Sequence, residues 1–93
     1  MNSDTQADKA RQKKLITRLR RVEGQLRGIQ AMIERDAGCE AVAQQLAASR
    51  RALDRTFYEM IACALEAEVQ NRRGPDVARD AAAYVGRILA RYG

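Results

Sequence analysis

The stretch LITRLRRVEGQLRGIQAMI, from Leu15 to Ile33, decides the fold of this chain. Its large apolar residues recur at alternating steps of four and three. They are Leu15, Leu19, Val22, Leu26, Ile29 and Ile33. This heptad spacing is typical of a helix that buries one stripe of side chains against another helix. The stretch therefore predicts a long helix that is stable only when packed on a partner.

Positive charge is concentrated on the same helix. Residues 9–27 hold eight cations and one acid, whereas the net charge of the whole chain is +5. Cations near a helix start oppose the helix dipole, so their placement indicates an external anion. Nucleic acid is the favoured anion, a solvated coiled-coil face is the alternative, and the narrow apolar stripe disfavours a membrane surface. The flanking cations are Lys13, Lys14, Arg18, Arg20, Arg21 and Arg27.

Length and composition favour a small domain that needs an oligomer. The chain has 93 residues, with one Phe, three Tyr and no Trp, so few bulky side chains are available for a core. We expect one domain, residues 1–93, with residues 1–8 flexible, that is stable only as a homo-oligomer. No stretch is apolar enough to span a membrane and the N-terminus is polar, so we expect a cytoplasmic protein with reduced cysteines.

The chain is predicted to be all-α, with two long antiparallel helices and a short third helix. The first helix is expected over residues 6–35, with Thr5 and Asp8 as a weak capping pair, and the second over residues 39–72. Gly74 ends the second helix, and Pro75 and Asp76 suit the first turn of the third. The apolar residues of the second helix are Val42, Leu46, Leu53, Phe57, Met60, Ile61 and Leu65. Those of the third are Val77, Ala81, Val85, Ile88 and Tyr92.

No enzyme site stands out. The chain has no histidine to activate a cysteine nucleophile and no glycine-rich phosphate loop. Zinc-finger spacing, a short helix-turn-helix and an aromatic platform for bases are missing as well. DNA contacts would therefore come from Arg and Lys on helix faces.

Several motifs together resemble the copper-sensitive operon repressor (CsoR) family. They are RLRRVEGQLRGI at residues 18–29, Cys39, QLAASR at residues 45–50, and Leu53. The family also contains nickel/cobalt, formaldehyde and persulfide sensors. The resemblance covers roughly residues 10–90. It implies a dimer built around the second helices, a flat tetramer formed as a dimer of dimers, and repression of a double-stranded DNA operator that a small inducer relieves.

The resemblance also implies roles for individual residues. Arg18 and Arg55 match basic residues that family members use for DNA, and Cys39 matches their sensing cysteine. We add Lys13, Lys14 and Arg21 to the DNA-binding residues, because they lie on or near the exposed basic face.

The sensing site departs from the family pattern. Metal-binding members have a His 25 residues after the first Cys and a Cys or His 29 residues after it, and these positions are Ala64 and Glu68 here. Persulfide sensors have a Cys at the later position, and formaldehyde sensors have an N-terminal Pro where this chain begins Met-Asn. The acid that couples copper binding to DNA release aligns with Ala82, Ala83 or Tyr84. Each known inducer class therefore lacks at least one of its residues.

A second cysteine, Cys63, follows Cys39 by 24 residues. On one helix the two are roughly 36 Å apart along the axis, so they cannot meet within a chain. An antiparallel pair of second helices would bring Cys39 level with Cys63 of the partner subunit, although about 50–120° of rotation separates them around the helix. Cys63 also fits an apolar seam, so a buried core thiol is the alternative.

Cys39 is the better candidate for reactivity. It lies in the first turn of a helix, after a Gly, where the helix dipole favours a thiolate, although Asp36 and Glu40 oppose this effect. The alternative is an incidental small residue at a helix start.

The sequence thus predicts a homotetrameric, non-enzymatic DNA-binding repressor with an inducer that acts at Cys39, with Cys63 as second participant. A thiol-based sensor of persulfide, oxidants or electrophiles is favoured. The first alternative is a Cu(I)-responsive repressor, with Cys39 and either Cys63 or Glu68 as ligands. The second is a basic helical protein that coats or bridges DNA without any inducer. Cu(I) is the single cofactor considered, and no membrane partner is expected.

Overall fold

A computed structural model describes residues 6–93 and shows three helices. They are α1 (Gln6–Glu34), α2 (Cys39–Asn71) and α3 (Val77–Tyr92), and the described residues contain no strand. The predicted all-α class is confirmed, and the ends of the first two helices were predicted to within one residue. The proposed cap Thr5 and most of the predicted flexible segment lie outside the described residues, while Gln6–Asp8 begin α1. None of the described helices is long and apolar enough to cross a membrane.

The chain divides into two compact units. One runs to Thr56 and contains α1 with the first half of α2, and the other is formed by Phe57–Gly93. We call the first unit the hairpin, because its two helices run antiparallel: Ile33 and Val42 line one groove, and Arg18 and Arg55 line another further from the turn. Whether the 93 residues act as one domain stays a prediction.

The core of the hairpin uses only half of the predicted heptad stripe. Leu15, Val22 and Ile29 recur at steps of seven and are 3–4% exposed. The alternate row remains open, because Leu19 and Leu26 are each 39% exposed and Ile33 is 58% exposed. The hairpin offers α1 a single partner helix, and one helix covers one row.

Small polar residues form the side of α2 that is buried in the hairpin. Ser49 is 2% exposed, and its Oγ donates a hydrogen bond to Oε1 of Gln25 on α1, at 3.0 Å. Thr56 is also buried, and its Oγ1 donates to the carbonyl of Ala52 at 3.0 Å. Both hydroxyls therefore have partners, as buried polar groups require. The apolar residues Leu46 and Leu53 on α2 are left exposed.

The turn between α1 and α2 has the hydrogen bonds of a Schellman motif. Ala37 N–H donates to the carbonyl of Met32 at 2.9 Å, and Asp36 N–H donates to that of Ile33 at 3.1 Å. Asp36 takes the left-handed conformation, with φ of 58°. Glycine is usual at this position because a Cβ is disfavoured there, so Asp36 introduces local strain.

The second unit joins the end of α2 to α3. Ala81 of α3 is fully buried and Cys63 of α2 is 9% exposed. Gly74 follows α2 with φ of 104°, the left-handed conformation expected for it. Pro75 and Asp76 were predicted to lie in the first turn of the third helix, which is too early. Pro75 instead precedes the N-cap Asp76, whose carbonyl accepts the first helical hydrogen bond, from Asp80 N–H at 2.9 Å. α3 therefore begins at Val77.

We expect Asp36→Gly to raise the free energy of unfolding by about 0.5–1 kcal/mol, because glycine adopts a positive φ without the Cβ penalty. Urea denaturation of the two proteins measures the change. The matched control is Ala37→Gly. Position 37 has no positive φ, so this variant should lose about 0.5–1 kcal/mol. Equal losses in both variants would contradict the strain at Asp36.

Candidate DNA-binding groove and sensing cysteines

Three of the predicted DNA-binding arginines lie on one groove of the hairpin. Arg18 and Arg21 are three residues apart on α1, which places them on the same helix face, and α2 brings Arg55 to the same groove. The groove has a volume of about 220 Å³. Its complete lining is Arg18, Arg21, Val22, Gln25, Ala52 and Arg55.

A second groove continues along α1 toward its N-terminus. It has a volume of about 390 Å³ and shares Arg18 and Arg21 with the first. Its lining is Ala10, Lys13, Lys14, Thr17, Arg18 and Arg21. Together the two grooves collect all five predicted DNA-binding residues, and no acid belongs to either lining. We call this combined surface the basic groove.

The basic groove presents its cations at different depths. Lys13, Lys14, Arg21 and Arg55 are exposed. Arg18 is partly buried, and its Nη1 atom is inaccessible to solvent. The exposed arginines Arg21 and Arg55 each offer a planar fork of N–H donors that suits a phosphate. The surface can therefore bind several phosphates along a strand.

Sequence reasoning did not identify Gln25 as part of this surface. It lines the groove with the three arginines and is itself exposed. A signal was available, since positions 18, 21 and 25 share one helix face by their spacing of three and four. Conversely, Arg20 and Arg27, which were counted among the flanking cations, line neither groove.

Cys39 is exposed at the first position of α2. The carbonyl of Gly38 accepts a hydrogen bond from Val42 N–H at 3.1 Å, so Gly38 is the N-cap and Cys39 follows it. The thiol belongs to an open groove of about 520 Å³ at the turn. The lining is mostly apolar and consists of Ile33, Asp36, Ala37, Gly38, Cys39, Val42, Ala43 and Leu46.

Cys63 has a different environment. It is buried, and it follows the buried residues Ser49 and Thr56 at steps of seven along α2. This environment supports the alternative that Cys63 is a core thiol. Its predicted part in sensing stays a prediction.

Glu68, the predicted alternative to Cys63 as a metal ligand, is engaged by an arginine. Its Oε2 accepts a hydrogen bond from Nε of Arg72, and Nη1 of Arg72 lies 3.9 Å from Oδ2 of Asp80. The hydrogen bond and the charge of Glu68 raise the pKa of Arg72. A metal would have to compete with Arg72 for this carboxylate. Within residues 6–93 of one chain, no three His, Cys, Asp or Glu side chains are grouped closely enough to hold a metal ion.

A family of known proteins matches almost the whole structure. The model of the family described as "Metal-sensitive transcriptional repressor" matches residues 11–89, which include nearly all of α1, the whole of α2 and most of α3. The chain belongs to this repressor family. The resemblance to copper-sensitive operon repressors is thereby confirmed. A family of transcriptional repressors is not an enzymatic class.

The chain is also similar to individual curated proteins. A Serratia marcescens protein with the name "Uncharacterized protein in bioA 5'region" is 39% identical over 50 residues, which are 54% of this chain and 55% of that protein. The chain thus spans about half the length of this curated relative. No solved structure matches the chain.

We expect Arg18→Ala, Arg21→Ala and Arg55→Ala each to reduce the salt dependence of DNA binding. Loss of one phosphate contact lowers the slope of log K against log salt by about 1. Fluorescence anisotropy measures this slope with a duplex that the wild-type protein selects from a random library. Arg20→Ala removes the same charge outside the basic groove and is the control. If the Arg18→Ala and Arg55→Ala variants keep the wild-type affinity and slope, the DNA surface lies elsewhere.

Proposed function

We propose that the protein is a transcriptional repressor that binds a double-stranded DNA operator through the basic groove and is released when an inducer acts at Cys39. The convergence of Arg18, Arg21 and Arg55 from two helices on one groove carries this proposal. As the sequence predicts, the protein is proposed to act in the cytoplasm.

The shape of the basic groove supports DNA rather than a small anion. Its cations extend along α1 from Lys13 to Arg21, a separation of eight positions that corresponds to about 12 Å at 1.5 Å per residue. Phosphates along one DNA strand are separated by distances shorter than this, so more than one can be bound. Contacts of this kind fix the position of a protein on DNA and give affinity that depends strongly on salt.

The exposed apolar rows support assembly into a tetramer. Leu19, Leu26 and Ile33 on α1 and Leu46 and Leu53 on α2 are all more than one-third exposed. Rows of large apolar side chains at heptad spacing are the usual contact surface between helices of different subunits. A tetramer repeats the basic groove four times, which allows several grooves to bind one duplex.

The position of Cys39 supports a thiol-based sensor. An exposed thiol at a helix start can attack the sulfane sulfur of a persulfide R–S–SH, which gives Cys39–S–SH and releases the thiol R–SH. If Cys63 of the partner subunit takes part, its thiolate attacks the sulfur of Cys39, forms a disulfide and releases HS⁻. This second step requires Cys63 to become accessible.

Copper is the second candidate inducer. The family as a whole is described as metal-sensitive, and Cu(I) accepts two thiolate ligands, which Zn and Ni sites seldom do. Cys39 and Cys63 are 24 residues apart on α2, roughly 36 Å along its axis, so a site that uses both would take them from different subunits.

We expect a tetrameric mass by light scattering at micromolar concentration. Leu26→Glu should lower this mass, because it places a charge in the exposed apolar row of α1. Gln30→Glu adds the same charge at an exposed position of α1 outside that row, and it should leave the mass unchanged. A monomeric wild-type protein would contradict the proposed assembly.

We expect Cys39→Ser to abolish release from DNA while leaving affinity intact, because the basic groove is built from other residues. Intact-protein mass spectrometry after treatment with Cu(I), a persulfide and formaldehyde identifies the inducer from the mass added. Cys63→Ser is the companion variant, and a full response in it would assign Cys63 to core packing. If none of the treatments releases wild-type protein from DNA, the inducer-independent alternative is favoured.

A further inference from the structure

Gln25 joins the core of the hairpin to the basic groove. On one side its Oε1 accepts the hydrogen bond from Ser49 Oγ, at 3.0 Å. On the other side the residue lines the groove of Arg18, Arg21 and Arg55. Gln25 is the one uncharged polar residue in that lining.

The hydrogen bond fixes the orientation of the Gln25 amide. Ser49 is 2% exposed and lies between α1 and α2, so its buried hydroxyl holds the amide of Gln25 in one orientation. Oε1 accepts the hydrogen bond from Ser49. The other polar atom of the amide, Nε2, carries two N–H donors and is the atom left to face the groove. An amide oriented in this way offers donors to a ligand in the groove and gives up little rotational freedom when it binds.

We propose that Gln25 is a DNA-contacting residue whose Nε2 donates to a phosphate oxygen, and that Ser49 is the positioning residue that orients it. This inference rests on the proposed function, since the ligand is the DNA in the basic groove. Glutamine side chains are regular partners of phosphate oxygens in protein–DNA complexes, where they supply orientation without charge.

The contact has a signature that separates it from the arginine contacts. An arginine that neutralises a phosphate displaces counterions, so its loss changes the salt slope. A neutral amide displaces none. Gln25→Ala should therefore weaken binding at every salt concentration by the same factor, roughly 3- to 10-fold for one hydrogen bond, without a change in slope.

The test compares four proteins by anisotropy over a range of salt: wild type, Gln25→Ala, Ser49→Ala and the double variant. The probes are the duplex selected by the wild type and a duplex with the same bases in scrambled order. Ser49→Ala should lose about 2- to 5-fold in affinity, and it should cause no further loss once Gln25 is Ala. Thermal unfolding checks that all four proteins are folded, and Gln30→Ala is the control for an exposed α1 glutamine outside the groove.

Two variants that each introduce one negative charge provide an independent measurement. Gln25→Glu keeps an acceptor for Ser49 but places a negative charge beside three arginines that face phosphate. It should reduce affinity more than Gln25→Ala does. Gln30→Glu carries the same charge and should have a smaller effect.

The possible results separate failure of this inference from failure of the proposed function. Additive losses from Ser49→Ala and Gln25→Ala, or an unchanged affinity of Gln25→Ala while Arg18→Ala is weakened, would overturn this inference and leave the proposed function standing. A loss confined to the selected duplex would overturn the assignment to phosphate and move the contact to a base edge. If the wild type binds neither duplex, the proposed function fails and this inference fails with it.

Discussion

The packing of α1 on α2 is the constraint on which the rest of the structure depends. On α1 it uses the row Leu15, Val22 and Ile29, and on α2 it uses the small polar residues Ser49 and Thr56. Small side chains allow two helices to approach closely, and their hydroxyls then need partners that the interface itself must supply. The hydrogen bond from Ser49 to Gln25 meets this need and also fixes the register of the hairpin, because a shift of one residue would break it.

The register determines where the functional groups lie. It places Arg55 on the same groove as Arg18 and Arg21. It also places Cys39 near the end of α1, on the groove that Ile33 lines. The same packing leaves large apolar residues outside, since it buries only half of the α1 stripe and uses small polar residues of α2. A protomer with such a thin core gains little stability from hydrophobic burial, and association of further helices is the physical way to cover the remaining rows.

The sequence was sufficient to predict the helices, because heptad spacing, Gly74 and the break at residues 36–38 are local signals. It did not show which half of the apolar stripe would be buried, since Leu15 and Leu19 are equivalent until the position of the partner helix is known. The five DNA-binding residues remain a proposal, yet their placement on adjoining grooves follows from spacing on α1 together with the hairpin register. Gln25 was missed because a neutral residue carries no charge signal. The turn was located correctly, between helices predicted to end at residue 35 and to begin at residue 39, but its left-handed residue, Asp36, was not predicted.

Charge and fold are coupled in this hairpin. Arg18, Arg21 and Arg55 place three positive charges on one groove, and this groove exists only while α1 packs on α2. A polyanion that binds the groove binds the folded state alone, so it shifts the folding equilibrium toward that state. The proposed DNA binding would therefore stabilise the same hairpin register that assembles its binding surface.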